Sequence, residues 1–237
     1  HGCVTDLRSR RGGEEARAVS RFFLQKSEGR LCLAERGQPK SPISVDFDSP
    51  QLRARMKRLS ARSELLLKAL GGKAGETVVD MTTGLGTDTW LLATYGYTVY
   101  ACEKSPTLYA MLEDGLQRVR ASYEGLSQIS NTANNIRLRN LDSSSSVESN
   151  WGAKYAVIDP MFPVKKKQAL ASGDMQMLQR FIGRGESVDR LLHAAKAQGI
   201  QRAVVKRALR SSERYAFLDP LYSLEGRSSR FDVFQFG

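Results

Sequence analysis

The stretch Thr77 to Asp88, T-V-V-D-M-T-T-G-L-G-T-D, restricts the fold more than any other part of the chain. Thr77, Val78 and Val79 are β-branched and suit a strand buried on both faces. Asp80 stands where such a strand should end. Gly84 and Gly86 mark a tight turn, and a helical pattern begins near Asp88. Strand, carboxylate, Gly-x-Gly and helix in this order is how a doubly wound α/β sheet approaches a nucleotide-like ligand. Glycine lets the backbone come close where a side chain would block it. A second strand follows at Tyr97 to Cys102, with Glu103 at its end. An acidic residue about 20 residues after the glycine turn is placed to grip a ribose diol, because a carboxylate accepts from both hydroxyls.

The turn is not a dinucleotide fingerprint. Position 89 is Thr, so G-x-G-x-x-G is incomplete, and no P-loop lysine follows the glycines. A nucleoside without phosphates fits better, and S-adenosylmethionine is the expected cofactor. Its sulfonium and amino groups favour carboxylates over a basic phosphate nest.

The chain has 237 residues, 41% of them hydrophobic, enough for one large α/β domain with a small appendage. Lys and Arg number 36 against 25 Asp and Glu, a net charge of +11 that points to a polyanionic partner, most simply nucleic acid. The three cysteines are far apart and form no C-x-x-C or Cys/His cluster, so neither a zinc site nor a disulfide framework is expected. His1 is terminal and His193 sits in a helical pattern, which disfavours a His-dependent hydrolase. No apolar run approaches the length of a membrane span. Neither a metal nor a membrane is expected as a partner.

Residues 1–48 read as a polar tail followed by a small appended module, with a short helix over Ala16–Leu24 and short strands at Gly29–Ala34 and Ser44–Phe47. Residues 49–237 read as the Rossmann-like domain. Ser49 and Pro50 open a helix expected to run to Leu70, where Gly71-Gly72 ends it. Arg53, Arg55, Lys57 and Arg58, with Arg62 beyond them, crowd its first part and suit RNA phosphates. Further elements are a helix from Asp88 to about Gly96, a helix Thr107–Ala121, a loop Ser127–Asn135 and a strand Ile136–Leu141. After that strand, Asp142, Ser143 or Ser144 could hydrogen-bond an adenine. A helix Asp189–Gly199, a strand Arg202–Lys206 and a closing hairpin strand Phe231–Phe236 complete the pattern.

Tyr155 to Pro163 reads Y-A-V-I-D-P-M-F-P. A buried strand ends at Asp159, where open α/β sheets place ligands. Methylating an exocyclic amine of a base requires attack by a nitrogen whose lone pair is conjugated into the ring. A carboxylate and a backbone carbonyl that accept its N–H bonds favour the reactive geometry. Asp159 is the candidate for that role, Pro160 shapes the turn, and Phe162 can stack on an extruded base. Lys165, Lys166 and Lys167 suit the flanking phosphates, and Lys206 and Arg207, at the end of a later strand, are expected to face the same cleft.

These segments together resemble the small-subunit ribosomal RNA guanine-N2 methyltransferases of the RsmJ family. The matching stretches are S-V-D-F at 44–47, V-V-D-M-T-T-G-L-G-T-D at 78–88, E-K-S-P at 103–106, V-I-D-P-M-F-P-V-K-K-K-Q-A-L at 157–170, A-V-V-K-R at 203–207 and R-F-D-V-F at 230–234. The resemblance implies a class I methyltransferase sheet, S-adenosylmethionine as donor and a guanine of small-subunit rRNA, naked or in the assembling subunit, as acceptor. It implies a donor site at Thr87 with Asp88, Glu103 with Lys104, Ser143 with Ser144, and Asp159, beside Asp80, Gly84 and Gly86. Thr87 and Lys104 both stand where the family carries Arg. The compartment implied is the cytoplasm, with an organelle as the alternative. A non-catalytic RNA-binding assembly factor on the same scaffold, or an amino-methyltransferase acting on DNA or protein, are the competing expectations.

Overall fold

Thr77–Asp80 does form a strand, and it lies inside a seven-stranded sheet, flanked by parallel neighbours on both sides. The computed structural model describes residues 21–37, 42–123, 127–145, 151–160, 173–183, 185–212 and 214–237. In chain order the strands are β1 (Phe22–Ser27), β2 (Arg30–Glu35), β3 (Ile43–Ser44), β4 (Thr77–Asp80), β5 (Thr98–Cys102), β6 (Ile136–Arg139), β7 (Tyr155–Ile158), β8 (Arg202–Ala208), β9 (Tyr222–Glu225) and β10 (Ser229–Gln235). The described helices are α1 (Pro50–Met56), α2 (Leu65–Leu70), α3 (Thr87–Tyr95), α4 (Pro106–Ser122), α5 (Ser127–Asn134), α6 (Gly173–Ile182) and α7 (Val188–Ala197).

The main sheet has the order β6-β5-β4-β7-β8-β10-β9. The strands from β6 to β8 are parallel, and β10 and β9 close the sheet as an antiparallel hairpin. The chain steps outward from β4 to β5 and β6, then returns to the other side of β4 with β7 and β8. The carboxyl end of β4 is therefore the switch point where such sheets open a crevice. Both faces are covered. Val78 packs into the layer that holds α3 and α4, and its neighbour Val79 into the layer that holds α7. This is the period-2 division of a strand buried on both sides.

Residues 22–44 form a second, three-stranded antiparallel sheet. Phe22–Leu24, expected to end a helix, belong instead to β1, paired across a tight turn to β2. Glu28 (φ 50) and Gly29 (φ 75) both take the left-handed conformation that a two-residue hairpin turn demands. Residues 16–20 of that expected helix lie outside the described residues. The Ser44–Phe47 strand shortens to a two-residue β3, although Ile43, Val45 and Phe47 keep their alternate inward positions.

The single helix expected over Ser49–Leu70 is two helices. Ser49 caps α1 by accepting from the Leu52 N–H at 3.3 Å. The break follows from two serines. Ser60 and Ser63 each accept the other's backbone N–H, at 3.1 and 3.0 Å, and Ser63 donates to the Arg58 carbonyl. Such local bonds replace helical ones. Ser127–Asn135, expected as a loop, is α5: Ala133 is fully buried and Ile129 packs on the core, so tertiary contact overrides weak local propensity.

The small sheet shares its core with the main one. Phe47 stacks on Trp90 of α3 with ring centroids 4.7 Å apart, and Arg118 of α4 donates to the Val45 carbonyl. Glu35 of β2, its side chain wholly buried, pairs with Arg21 at 2.6 Å and with Arg180 of α6 at 2.7 Å. Phe22 meets Phe181 edge-on beside that pair. Gly115 of α4 admits this packing, since a Cβ there would stand 2.7 Å from Val45 Cγ1. Gly115→Val is expected to lower stability by about 1–3 kcal/mol through overpacking, and Val45→Ala in the same chain should recover part of the loss. Urea unfolding of the two single variants and the double variant checks this.

Candidate active site

Asp80 ends β4 with 2% of its surface exposed. Its carboxylate accepts from the Thr82 N–H at 3.2 Å and from the Thr89 hydroxyl, and so ties strand, turn and helix together. Burial pushes its pKa up to about 7 against those two hydrogen bonds, and the nearby charges of Asp88 and Asp159 push the same way. Gly84 follows in the left-handed conformation and donates its N–H to Glu103 Oε2 at 2.9 Å. Gly86 (φ 78) is the N-cap of α3. A Cβ on Gly86 would meet Leu112 at 2.8 Å and Phe47 at 2.9 Å. Gly86 thus serves helix packing, and Gly84 is the glycine that lines the cleft.

The cleft lies across the ends of β4, β5 and β7. Glu103, 7% exposed, closes one side, with Oε1 accepting from the Ser105 N–H at 2.8 Å. Burial raises its pKa, opposed by the N–H groups of Ser105 and Gly84. Each carboxylate oxygen keeps a second acceptor position for a hydroxyl. Ser143 and Asp142 line the wall after β6. Ser143 donates to the Met81 carbonyl at 2.6 Å, and Ser144 bonds Asp142 Oδ1 through both its N–H (2.9 Å) and its hydroxyl (2.7 Å). Asp159 and Pro160 line the opposite side. The Asp159 N–H donates to Thr82 Oγ1 at 2.7 Å, which locks the end of β7 to the turn after β4.

Lys104 lies at the mouth and pairs with Glu186 at 2.5 Å. Ile182, the last residue of α6, and Gly185 and Glu186, between α6 and α7, also reach the cleft, a contribution with no motif in the sequence to announce it. Met81, Cys102 and Leu141 supply further apolar surface, and burial pushes the Cys102 thiol up to about 12. These three could have been found from the inward positions next to each strand end. Thr87 is exposed and does not line the cleft. Asp88 sits in the first turn of α3, where Lys206 reaches it at 2.7 Å.

The cations expected to meet RNA do not share one surface. Arg53, Lys57 and Arg58 are exposed on and just after α1. Arg55 is partly exposed but already paired: it forks onto Glu64 at 2.9 and 2.7 Å, with Asp88 4.0 Å away. Lys206 and Arg207 do not share the cleft, contrary to expectation. They are consecutive in β8 and therefore face opposite sides. Lys206 reaches into the site, 2.7 Å from Asp159. Arg207 is 3% exposed, stacks over the Tyr215 ring at 4.7 Å and donates to the Tyr215 hydroxyl, so no phosphate can approach it. Phe162 and Lys165–Lys167 lie outside the described residues. Among the described residues, no cluster of His, Cys, Asp or Glu is arranged to hold a metal, and no helix is long and apolar enough to cross a membrane.

A cleft with the carboxylates of Glu103, Asp142, Asp159 and Glu186 around apolar Met81, Cys102, Leu141 and Ile182 suits a ligand that is cationic at one end and a flat heterocycle at the other. S-adenosylmethionine has that chemistry. Asp80 beneath it makes stability depend on pH. Its folded pKa lies above the usual value of about 3.9, so its contribution is complete below about pH 4 and is lost as pH rises through 7. Asp80→Asn should remove this loss, gaining up to about 2.5 kcal/mol on the parent between pH 5 and pH 8.5. Urea unfolding of both ligand-free proteins at the two pH values reads the difference.

Residues 10–236 match the SAM_MT family of SAM-dependent methyltransferases. A ribosomal RNA small subunit methyltransferase J of Alteromonas mediterranea is 36% identical over 218 residues, covering 90% of this chain and 82% of the relative. The protein of that name from Alcanivorax borkumensis is 37% identical over 86% of this chain and 80% of its own. The crystal structure of a SAM-dependent methyltransferase from Neisseria gonorrhoeae superposes with a TM-score of 0.68 at 30% identity, over 90% of this chain and 82% of that one. The strand order, the acid-lined cleft at the switch point and these likenesses agree: the chain belongs to the ribosomal RNA small subunit methyltransferase J family and is an S-adenosylmethionine-dependent methyltransferase.

Proposed function

We propose that this enzyme methylates the exocyclic N2 amine of a guanine in small-subunit rRNA. The observation that carries the reading is Asp159: it directly follows the central strand β7, is held by Thr82, and opens onto the donor cleft immediately before Pro160. The relatives' names, which specify small-subunit ribosomal RNA, support the substrate class. The place of action follows the partner, wherever small subunits are assembled, which is the cytoplasm in the bacteria the relatives come from.

When bound, S-adenosylmethionine supplies a methyl group made electrophilic by its sulfonium. Glu103 holds the ribose diol, and Asp142 with the Ser143–Ser144 backbone faces the adenine. Asp80 and Asp88 set the negative potential of the methionine end, while Gly84 keeps the turn close and Gly86 seats α3 behind it. Lys104 closes the mouth against Glu186. Thr87, exposed at the start of α3, makes no contact in the cleft. Asp159 accepts an N–H of the guanine amine, orients its lone pair and takes up the departing proton. Pro160 fixes the turn, and Phe162 stacks on the extruded base. Catalysis is then mostly positioning and electrostatics. Arg53, Lys57 and Arg58, with Lys165, Lys166 and Lys167, hold the flanking RNA backbone.

Asp159→Ala should lower kcat by about 100-fold or more, within the range for loss of a positioned proton acceptor, with RNA affinity unchanged. The assay is transfer of labelled methyl to small-subunit rRNA, followed by nucleoside analysis for N2-methylguanosine. Unchanged turnover, or label in another nucleoside, overturns the reading. Arg53→Ala combined with Lys57→Ala should weaken RNA binding evenly across sequences. It should also reduce the slope of log K against log salt by about 2, measured by filter binding at several salt concentrations.

A further inference from the structure

Three carboxylates converge from three elements at the centre of the site: Asp80 from β4, Asp88 from α3 and Asp159 from the end of β7. Two cations face them among the described residues. Arg55 of α1 stands 4.0 Å from Asp88 but is already forked onto Glu64. Lys206 of β8 donates to Asp88 Oδ2 and to Asp159 Oδ2, each at 2.7 Å. From β10 the residue paired with Lys206 is Phe231, which brings no charge.

We propose that Lys206 is a positioning residue for methyl transfer: its ammonium bridges Asp88 and Asp159 and holds the Asp159 carboxylate with one oxygen engaged and the other turned to the acceptor amine. The inference rests on the role given to Asp159 above. The reaction forms the N–CH3 bond and breaks the S–CH3 bond, whose electron pair stays on sulfur. The nitrogen becomes cationic and must shed one proton, which an anionic Asp159 can accept and a protonated one cannot. Three carboxylates this close do not all ionise unless a cation lies between them. Burial raises the pKa of Asp159, Lys206 opposes that rise, and Asp88 reinforces it. Burial alone would lower the pKa of Lys206, but Asp88 and Asp159 outweigh it and keep the ammonium charged. Lysine suits the bridge better than arginine. Its ammonium is a compact charge with three donors, whereas a guanidinium fork would engage both oxygens of one carboxylate.

The test is the pH profile of kcat at saturating donor and RNA, for the parent, Lys206→Met and Lys206→Arg, alongside RNA affinity. Without the ammonium, the acid limb of Lys206→Met should move up by about one pH unit or more. Its kcat on the acid side of the limb should fall about 10-fold for each pH unit by which the limb moves, and recover towards pH 9. Lys206→Arg should keep the limb within about half a unit. A Lys206→Met profile that overlays the parent's overturns the proposal. So does a loss of RNA affinity with kcat unchanged, which would make Lys206 a phosphate contact. Should Lys206→Met fail to fold, Asp88→Asn decides. The ammonium then turns wholly to Asp159, and the acid limb should fall by about half a unit or more; an unmoved limb overturns the proposal. Failure of the underlying reading is separable: Asp159→Ala would then retain turnover. Loss of turnover in Asp159→Ala with an unmoved limb in Lys206→Met removes this inference alone.

Discussion

The buried Asp80 carboxylate is the interaction on which the site depends. By accepting from the Thr82 N–H and the Thr89 hydroxyl it sets the turn that carries Gly84 and the entry of α3. Thr82, placed by that turn, then accepts the Asp159 N–H and registers β7 against β4. One carboxylate thus aligns the turn after β4 with the end of β7, the donor side and the acceptor side of the proposed reaction. The cost is a negative charge in a site of low dielectric constant, visible in its pKa of about 7. A neutral amide could make similar bonds. A carboxylate also offers negative potential to a cationic donor, so the group that stabilises the turn least at neutral pH is the one the chemistry favours.

The three-stranded sheet supports the same site from a distance. Phe47 stacks on Trp90 directly behind Gly86, so the start of α3 rests on the appended sheet. Glu35 holds Arg180 near the end of α6. Two residues beyond Arg180, Ile182 enters the cleft wall, and Glu186 follows to meet Lys104. A buried carboxylate with two half-exposed arginines is a poor source of stability by itself, since desolvation offsets much of the attraction. Its effect here is one of register: it specifies where α6 lies against β2, and through α6 where one wall of the cleft stands.

Much of this was legible in the sequence, and the failures have physical causes. The β-branched run before Asp80, the strand before Glu103 and the strand before Asp159 were readable because strands buried on both faces admit few residue types. Ser49-Pro50 was readable as a helix start because capping is local. The break between α1 and α2 was not, because Ser60 and Ser63 act through mutual bonds that helical periodicity does not reveal. Helix α5 was missed because Ala133 is held by packing rather than propensity. Lys206 and Arg207 read as one basic surface by adjacency, although strand geometry sends neighbours to opposite faces. That rule was available from the sequence, and applying it would have separated a cleft lysine from a buried arginine. Glu186 had no signal, since its position is set by α6 packing on a different sheet.

The distribution of charge explains how one small protein can select two ligands of opposite sign. The whole chain carries +11, yet its cleft is lined by Glu103, Asp142, Asp159 and Glu186, with Asp80 beneath. In the proposed function the exposed cations on and just after α1 would attract a polyanion over distances set by the Debye length, about 8 Å at physiological salt. The cleft acids act at closer range and in lower dielectric, where they repel phosphate. On this reading the same acids would exclude dinucleotides, whose pyrophosphate would need the third glycine that Thr89 replaces, and would admit a cationic donor. An RNA backbone drawn to the outer surface would be kept out of the cleft for the same reason. Only a neutral base, extruded from that backbone, meets no electrostatic barrier at Asp159.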